Sequence, residues 1–151
     1  MKPYVASMIV IILGIMFLVG CTTKKSPSPE IGKMKQNKHF EITLNQIKPY
    51  TPRDRMEKKP PKDVVQVDIM AKNKTNVEHG IGSLEFKAFD IEGKELSHYG
   101  YADNMGDIVG IEDTLKGSIF FVAKEANIAT IEYVDPDNQE KVTWRINPIK
   151  K

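Results

Sequence analysis

The order of apolar and polar positions divides the chain into three stretches. Val5 to Val19 (VASMIVIILGIMFLV) is a run of fifteen residues without a charge, preceded by Lys2 and followed by the small residue Gly20 and the single cysteine, Cys21. A basic start, a short apolar run and a small residue before a break are the parts of a secretory signal peptide. A membrane-spanning helix needs about 20 apolar residues, so removal of residues 1–20 is the expectation. Thr22 to Lys38 (TTKKSPSPEIGKMKQNK) follows neither a helical nor a strand period and carries five lysines against one glutamate. Residues 21–38 therefore read as a disordered basic tether. From His39 onward apolar residues recur at every second position, the mark of half-buried strands.

Phe40, Ile42 and Leu44 make the first strand, and Ile47 breaks the phase by one, which predicts a bulge or the strand's end. Val65, Val67, Ile69 and Ala71 alternate cleanly before a turn at Asn73-Lys74-Thr75-Asn76. Leu84, Phe86 and Ala88 form the next inward set, with a hairpin connection at Asp90 to Lys94 in which Gly93 is free to take positive φ, and Leu96 and His98 return. Leu115, Gly117, Ile119 and Phe121 alternate, then Ile131 and Tyr133, then Val142, Trp144 and Ile146 after a turn at Asp135-Pro136-Asp137-Asn138. Trp144 reads as core, its indole N–H requiring one partner. Two stretches carry no strand pattern. Residues 48–62 hold four prolines, and residues 99–113 hold three glycines. Seven or eight short strands without a helix longer than a turn predict an all-β, immunoglobulin-like antiparallel sandwich over residues 39–147, with 148–151 as a tail.

Composition narrows the function more than it defines it. Once residues 1–20 are removed the charges nearly cancel, 21 basic against 20 acidic, which is the balance neither of a nucleic-acid-binding protein nor of an acidic tail. The remaining 131 residues suffice for one domain.

Two resemblances sharpen the picture. Leu18-Val19-Gly20-Cys21 resembles the lipobox of bacterial lipoproteins, which implies a diacylglyceryl group on the Cys21 sulfur and cleavage before it. Leu18, Val19 and Gly20 would then be the signal-peptidase recognition residues. The resemblance implies a protein held through that lipid to the extracytoplasmic face of the cell membrane. The runs VVQVDIMAKNKT, FKAFDIEGKEL and LKGSIFFV resemble the telokin-like, immunoglobulin-like domain of secreted Gram-positive lipoproteins. The matching positions are Asn73, then Phe86, Asp90, Gly93 and Lys94, then Gly117 and Phe121. Where that family often has Pro-Gly before the strand that here holds Gly117 and Phe121, this chain has Glu112-Asp113-Thr114. The resemblance implies a fold and a location, and no mechanism.

Candidate chemistry is sparse. His39, His79 and His98 are far apart in sequence and none stands at i, i+4 from another, which excludes a zinc site of the metalloprotease type. No metal ligand and no cofactor is assigned. Asp103, Asn104, Asp107, Glu112 and Asp113 offer oxygens of the kind calcium takes, but Ile108 stands where a helix–loop–helix calcium loop needs glycine. No Gly-x-Ser-x-Gly or Gly-Lys-Ser/Thr motif occurs, and no catalytic residue is assigned. Aromatic and acidic residues make the 99–113 stretch a candidate binding loop, with Tyr99, Tyr101, Asp103 and Asp107 as its contact residues. The expectation is a non-catalytic module at the cell surface that binds a surface protein. The alternative is a small-ligand or metal-ion-binding lipoprotein using residues 99–113.

Overall fold

The computed structural model of the chain describes residues 28–51 and 57–147. The signal peptide, the lipobox with Cys21, the first part of the tether and the tail 148–151 lie outside the described residues. Nine strands run through the described part: β1 Met34–Gln36, β2 Phe40–Tyr50, β3 Val64–Asn73, β4 His79–Gly82, β5 Phe86–Asp90, β6 Gly106–Val109, β7 Thr114–Phe121, β8 Ile128–Val134 and β9 Lys141–Arg145. They pair antiparallel into a four-stranded sheet β1-β2-β3-β7, a three-stranded sheet β5-β8-β9 and a two-stranded ribbon β4-β6. This is the immunoglobulin-like β-sandwich that the alternation predicts.

The inward positions of the two larger sheets meet in one core. Ile42, Leu44, Val67, Ile69, Ala71, Ile119 and Phe121 come from the first sheet, and Phe86, Ala88, Ile131, Tyr133 and Trp144 from the second. Period two places them there because successive strand side chains face opposite sides. The bulge anticipated at Ile47 falls at Asn45. Leu44 pairs Ile69 and Gln46 pairs Asp68, so Asn45 has no partner and the phase of β2 shifts by one. Gly93 takes φ +83° in the hairpin after β5. Gly117 answers a different need: a Cβ there would lie 2.6 Å from the Cβ of Met105, which packs directly over β7.

Several expectations require correction. The stretch assigned to a disordered tether is ordered from residue 28 and supplies β1, which pairs β2 through Met34↔Thr43 and Gln36↔Glu41. Its order rests on polar contacts that no hydrophobic period announces. The Glu30 carboxylate accepts from the Arg145 backbone N–H and from Lys35 Nζ, each at 2.9 Å, and from Arg145 Nη2 at 3.3 Å. Trp144 Nε1 donates to the Lys33 carbonyl at 3.0 Å, so the partner its indole requires comes from this segment. The Arg145 N–H, then the Lys35 ammonium, hold the Glu30 carboxyl down at about 2.

β2 also runs through Lys48, Pro49 and Tyr50, beyond the expected start of the proline-rich loop. Pro49 is tolerated because β1 covers β2 only as far as Thr43, leaving that part of β2 an edge. Leu84, expected inward, is 79% exposed in a 3-10 turn. The long connection 99–113 contains β6, and the segment 95–99 changes sheets, bridging Phe89↔Glu95 on β5 and then His98↔Phe121 on β7.

Candidate functional site

The candidate site is a cleft of about 400 Å³ between the β4–β6 ribbon and the turn that follows β8. Three segments build it, and each is positioned by its own backbone chemistry. Asn37, just before β2, is buried, and its Oδ1 accepts from the N–H groups of His39 and Phe40 at 3.1 and 2.7 Å. That Asx-type turn turns His39 toward the cleft at the point where β2 begins. His79 opens β4, pairing Val109 across the ribbon. Asp135 and Asp137 belong to the tight connection between β8 and β9, closed by Asp135 N–H to the Glu140 carbonyl at 2.9 Å and Gln139 N–H to the Asp135 carbonyl at 2.8 Å.

Asp135 is wholly buried and is the keystone of the arrangement. Its Oδ2 accepts from Asn37 Nδ2 at 2.5 Å and lies 2.8 Å from His39 Nδ1, while its Oδ1 accepts from the Asp137 N–H at 3.0 Å. A proton on His39 Nδ1 pointing to this carboxylate leaves Nε2 as the ring's lone-pair nitrogen. The His79 ring stacks on that of His39 with centroids 3.9 Å apart and 21° between planes. Asp137 Oδ2 lies 3.5 Å from His79 Nδ1 and 3.7 Å from His39 Nδ1. Ligand atoms of His39, His79 and Asp137 all fall within 4.8 Å of one another, the one such grouping of three among the described residues.

The rest of the cleft is acidic and under-satisfied. Glu85 and Asp107 line it, with Tyr133 from β8. Tyr133 is fully buried and its hydroxyl has no hydrogen-bond partner among the described residues. Burial pushes the phenol's pKa up, and the carboxylates of Asp135, Glu85 and Asp137 push it further. Glu85 is itself partly engaged, accepting from the Gly82 N–H at 2.8 Å.

The candidate binding residues do not converge. Tyr99 is 2% exposed, packs with Val64 and Phe120, and donates its hydroxyl proton to the Glu57 carboxylate. Tyr101 is exposed beside it, and Asp103 is exposed. Asp107 sits on β6 and lines the cleft, which the other three do not. Asn104 is spent on structure, donating to the Tyr99 and Ala102 carbonyls and accepting from the Phe120 N–H. Asp107 and Asp113 each accept the N–H of the next residue, and no grouping of calcium-type carboxylates forms there among the described residues. Cys21, Leu18, Val19 and Gly20 lie outside the described residues.

Sequence reasoning missed His39, His79, Asp135 and Asp137 as a group. The Asp135-Pro136-Asp137-Asn138 turn was legible, whereas Asn37 fell in the stretch read as a tether. What no spacing rule signals is the meeting of segments about forty and sixty residues apart on sheet edges.

No protein-family model matches the chain, and no curated protein matches it. Solved structures do. The Bacillus subtilis protein ycdA, a "putative lipoprotein", matches with a TM-score of 0.65 at 16% identity, over 83% of this chain and 40% of its own. This chain therefore spans well under half the length of ycdA. The yjhA protein of Bacillus subtilis matches with a TM-score of 0.60 at 15% identity, over 78% of this chain and 98% of its own. The secreted protein MPT63 of Mycobacterium tuberculosis matches at 0.53 and 12%, over 70% of this chain and 82% of its own. At such identities the likeness establishes one thing, the β-sandwich fold.

Proposed function

We propose that this protein is a lipid-anchored, extracytoplasmic module that binds another protein of the cell surface and catalyses no reaction. The observation that carries the reading is the clustering of exposed apolar side chains on the β4–β6 ribbon and its flanks. Six large hydrophobic residues stand out as exposed among the described residues: Met34, Val77, Leu84, Tyr101, Ile108 and Ile111. One of them, Ile108, lies on the ribbon, and three, Val77, Leu84 and Ile111, stand two residues beyond the ends of its strands. Ile108 lies on β6, opposite Gly80; Leu84 follows β4; Val77 and Ile111 flank the ribbon near Asn73, whose Nδ2 donates to the Val77, Val109 and Gly110 carbonyls. Scattered apolar side chains need no explanation, but a gathering on one exposed ribbon has the character of a contact surface.

The location rests on the apolar run and on Leu18-Val19-Gly20-Cys21 behind it. Neighbours in fold that are named as a "putative lipoprotein" and a secreted protein agree with it.

Photo-crosslinking in intact cells tests the reading. A photoreactive residue at position 108 should give one discrete adduct, and the same residue at position 87 on β5, in another sheet, should not. Absence of an adduct at 108, or the same adducts from both positions, overturns the binding surface. Cys21→Ser should abolish incorporation of labelled fatty acid; label retained in that variant overturns the anchor.

A further inference from the structure

The cleft beside the ribbon points to a second role, independent of the apolar surface. We infer that His39, His79 and Asp137 form a binding site for a divalent transition-metal cation of the zinc or copper kind. Asp135 is the positioning residue behind His39.

Charge is the first argument. The cleft's lining, among the described residues, includes the carboxylates of Glu85, Asp107, Asp135 and Asp137 and no lysine or arginine. No lysine or arginine among the described residues forms an ion pair with any of these four. Four acids gathered without a counter-cation leave a field that favours a bound cation.

Ligand type is the second. Two imidazoles and a carboxylate are borderline donors, suited to zinc, copper and nickel, whereas calcium and magnesium take oxygen alone. Three ligand atoms within 4.8 Å of one another lie just beyond the span of about 4.4 Å that two bonds of 2.0–2.2 Å allow, so a small side-chain movement brings them onto one ion.

The third is the carboxylate behind the imidazole. A metal-bound histidine characteristically gives its other ring N–H to a carboxylate, which fixes the tautomer and raises the basicity of the ligating nitrogen. Asp135, wholly buried and 2.8 Å from His39 Nδ1, stands in that relation to the ring, leaving Nε2 to the ion once the exposed Asp137 side chain, 3.7 Å from Nδ1, turns to that edge. Asn37 holds both partners, binding Asp135 through its amide nitrogen and the His39 backbone through its amide oxygen.

The fourth is the buried Tyr133 hydroxyl, unpartnered among the described residues although its residue lines the same cleft. A buried hydroxyl without a partner is costly, and a water or hydroxide held by the ion would give it one. The stacked His39 and His79 rings set the motion required on loading. His79, with no carboxylate as close to its ring as Asp135 is to His39, turns about its side-chain torsions so that both nitrogens face one ion.

The test uses the full chain in detergent, stripped of metal by chelation, with Zn²⁺ as probe in competition against a chromogenic chelator. One Zn²⁺ per chain is expected, with a rise in Tm on loading. His79→Ala should weaken binding about 100-fold and Asp137→Asn about 10-fold. His98→Ala, outside the cleft, should leave it unchanged. Asp137 is largely exposed at its side chain, so its variant folds whatever happens to the others. Cu²⁺ bound to the same protein should show nitrogen hyperfine structure in its electron paramagnetic resonance spectrum, reduced in His79→Ala. Failure of the wild type to bind one Zn²⁺, or equal binding by the wild type, His79→Ala and Asp137→Asn, overturns the site. Neither result touches the crosslinking at position 108.

Discussion

Glu30 and Asp135 are both buried carboxylates that tie distant parts of this chain together, and the company each keeps is different in kind. Glu30 meets cations: the Lys35 ammonium and the Arg145 guanidinium, besides the Arg145 backbone N–H. It clamps β1 to β9, and Lys35 Nζ adds a second bond to the Thr143 carbonyl at 2.6 Å. Asp135 meets an amide, a backbone N–H and an imidazole, and Asp137 stands close by with no lysine or arginine ion pair among the described residues. A carboxylate neutralised by two fixed cations has nothing left to offer a third. Carboxylates grouped around imidazoles retain the capacity to take up a cation. Both carboxylates are buried and hydrogen-bonded, Asp135 the more deeply; the counter-charges separate a clamp from a site.

Substitution at each carboxylate sharpens that contrast, beginning with the most damaging. Asp135→Ala strips the acceptor from the Asn37 amide, the His39 ring and the Asp137 N–H, and should lower unfolding free energy by about 3–5 kcal/mol in urea titrations. A loss under about 1 kcal/mol would show that the turn does not depend on its keystone.

Glu30→Gln should cost about 1–2 kcal/mol, after allowance for solvent screening near the edge of the sheet. The sign with pH follows from the depressed pKa. Its stabilisation is complete above the ordinary glutamate value of 4.5 and is lost as pH falls toward about 2. Trp144 reports on this edge through its bond to Lys33, so its fluorescence should shift over that pH window in the wild type. In Glu30→Gln the same shift should be small.

His98→Leu should change stability at neutral pH by less than about 1 kcal/mol. Burial lowers the His98 pKa below its usual 6.5, more than its Phe86 backbone hydrogen bond and Glu95 raise it. Neutral in the fold, it stabilises most above pH 6.5, and the gain falls away as acid protonates it. The variant should therefore lose the part of the acid slope that begins near 6.5, well above the Glu30 window. An unchanged slope would remove His98 from the account.

Asp137→Asn should shift metal-free stability least, within about 0.5 kcal/mol, because its side chain is largely exposed. Urea titration without metal checks this. A large loss would make Asp137 a second clamp rather than an open ligand.

Much of the sandwich was readable from alternation alone. The strands around Ile42, Val67, Phe86, Ile119, Tyr133 and Trp144 each carry enough inward apolar residues to declare a face, and the hairpin at Gly93 declares its own turn. The strands that escaped notice are short and poor in that pattern. β4 reads His-Gly-Ile-Gly, β6 reads Gly-Asp-Ile-Val, and β1 reads Met-Lys-Gln. Their order comes from neighbours: Met105 N–H to the Ser118 carbonyl, the Asn73 amide to Val109 and Gly110, and Glu30 to Arg145. The candidate site lies on those elements, which is why it stayed out of sight. His79 is on β4, Asp107 is on β6, and His39 is held by a turn set just ahead of β2.

By itself the sequence determined the fold class, the principal core and most of the turns, because periodicity and turn chemistry act over a few neighbouring residues. It also carried the expected address, in the apolar run and the four residues ending at Cys21. Tertiary structure decided that His39 stacks on His79 and that a buried Asp135 stands behind the pair. Such a meeting depends on strand register and on which sheet edges come together, and hydrogen bonds between distant segments set both.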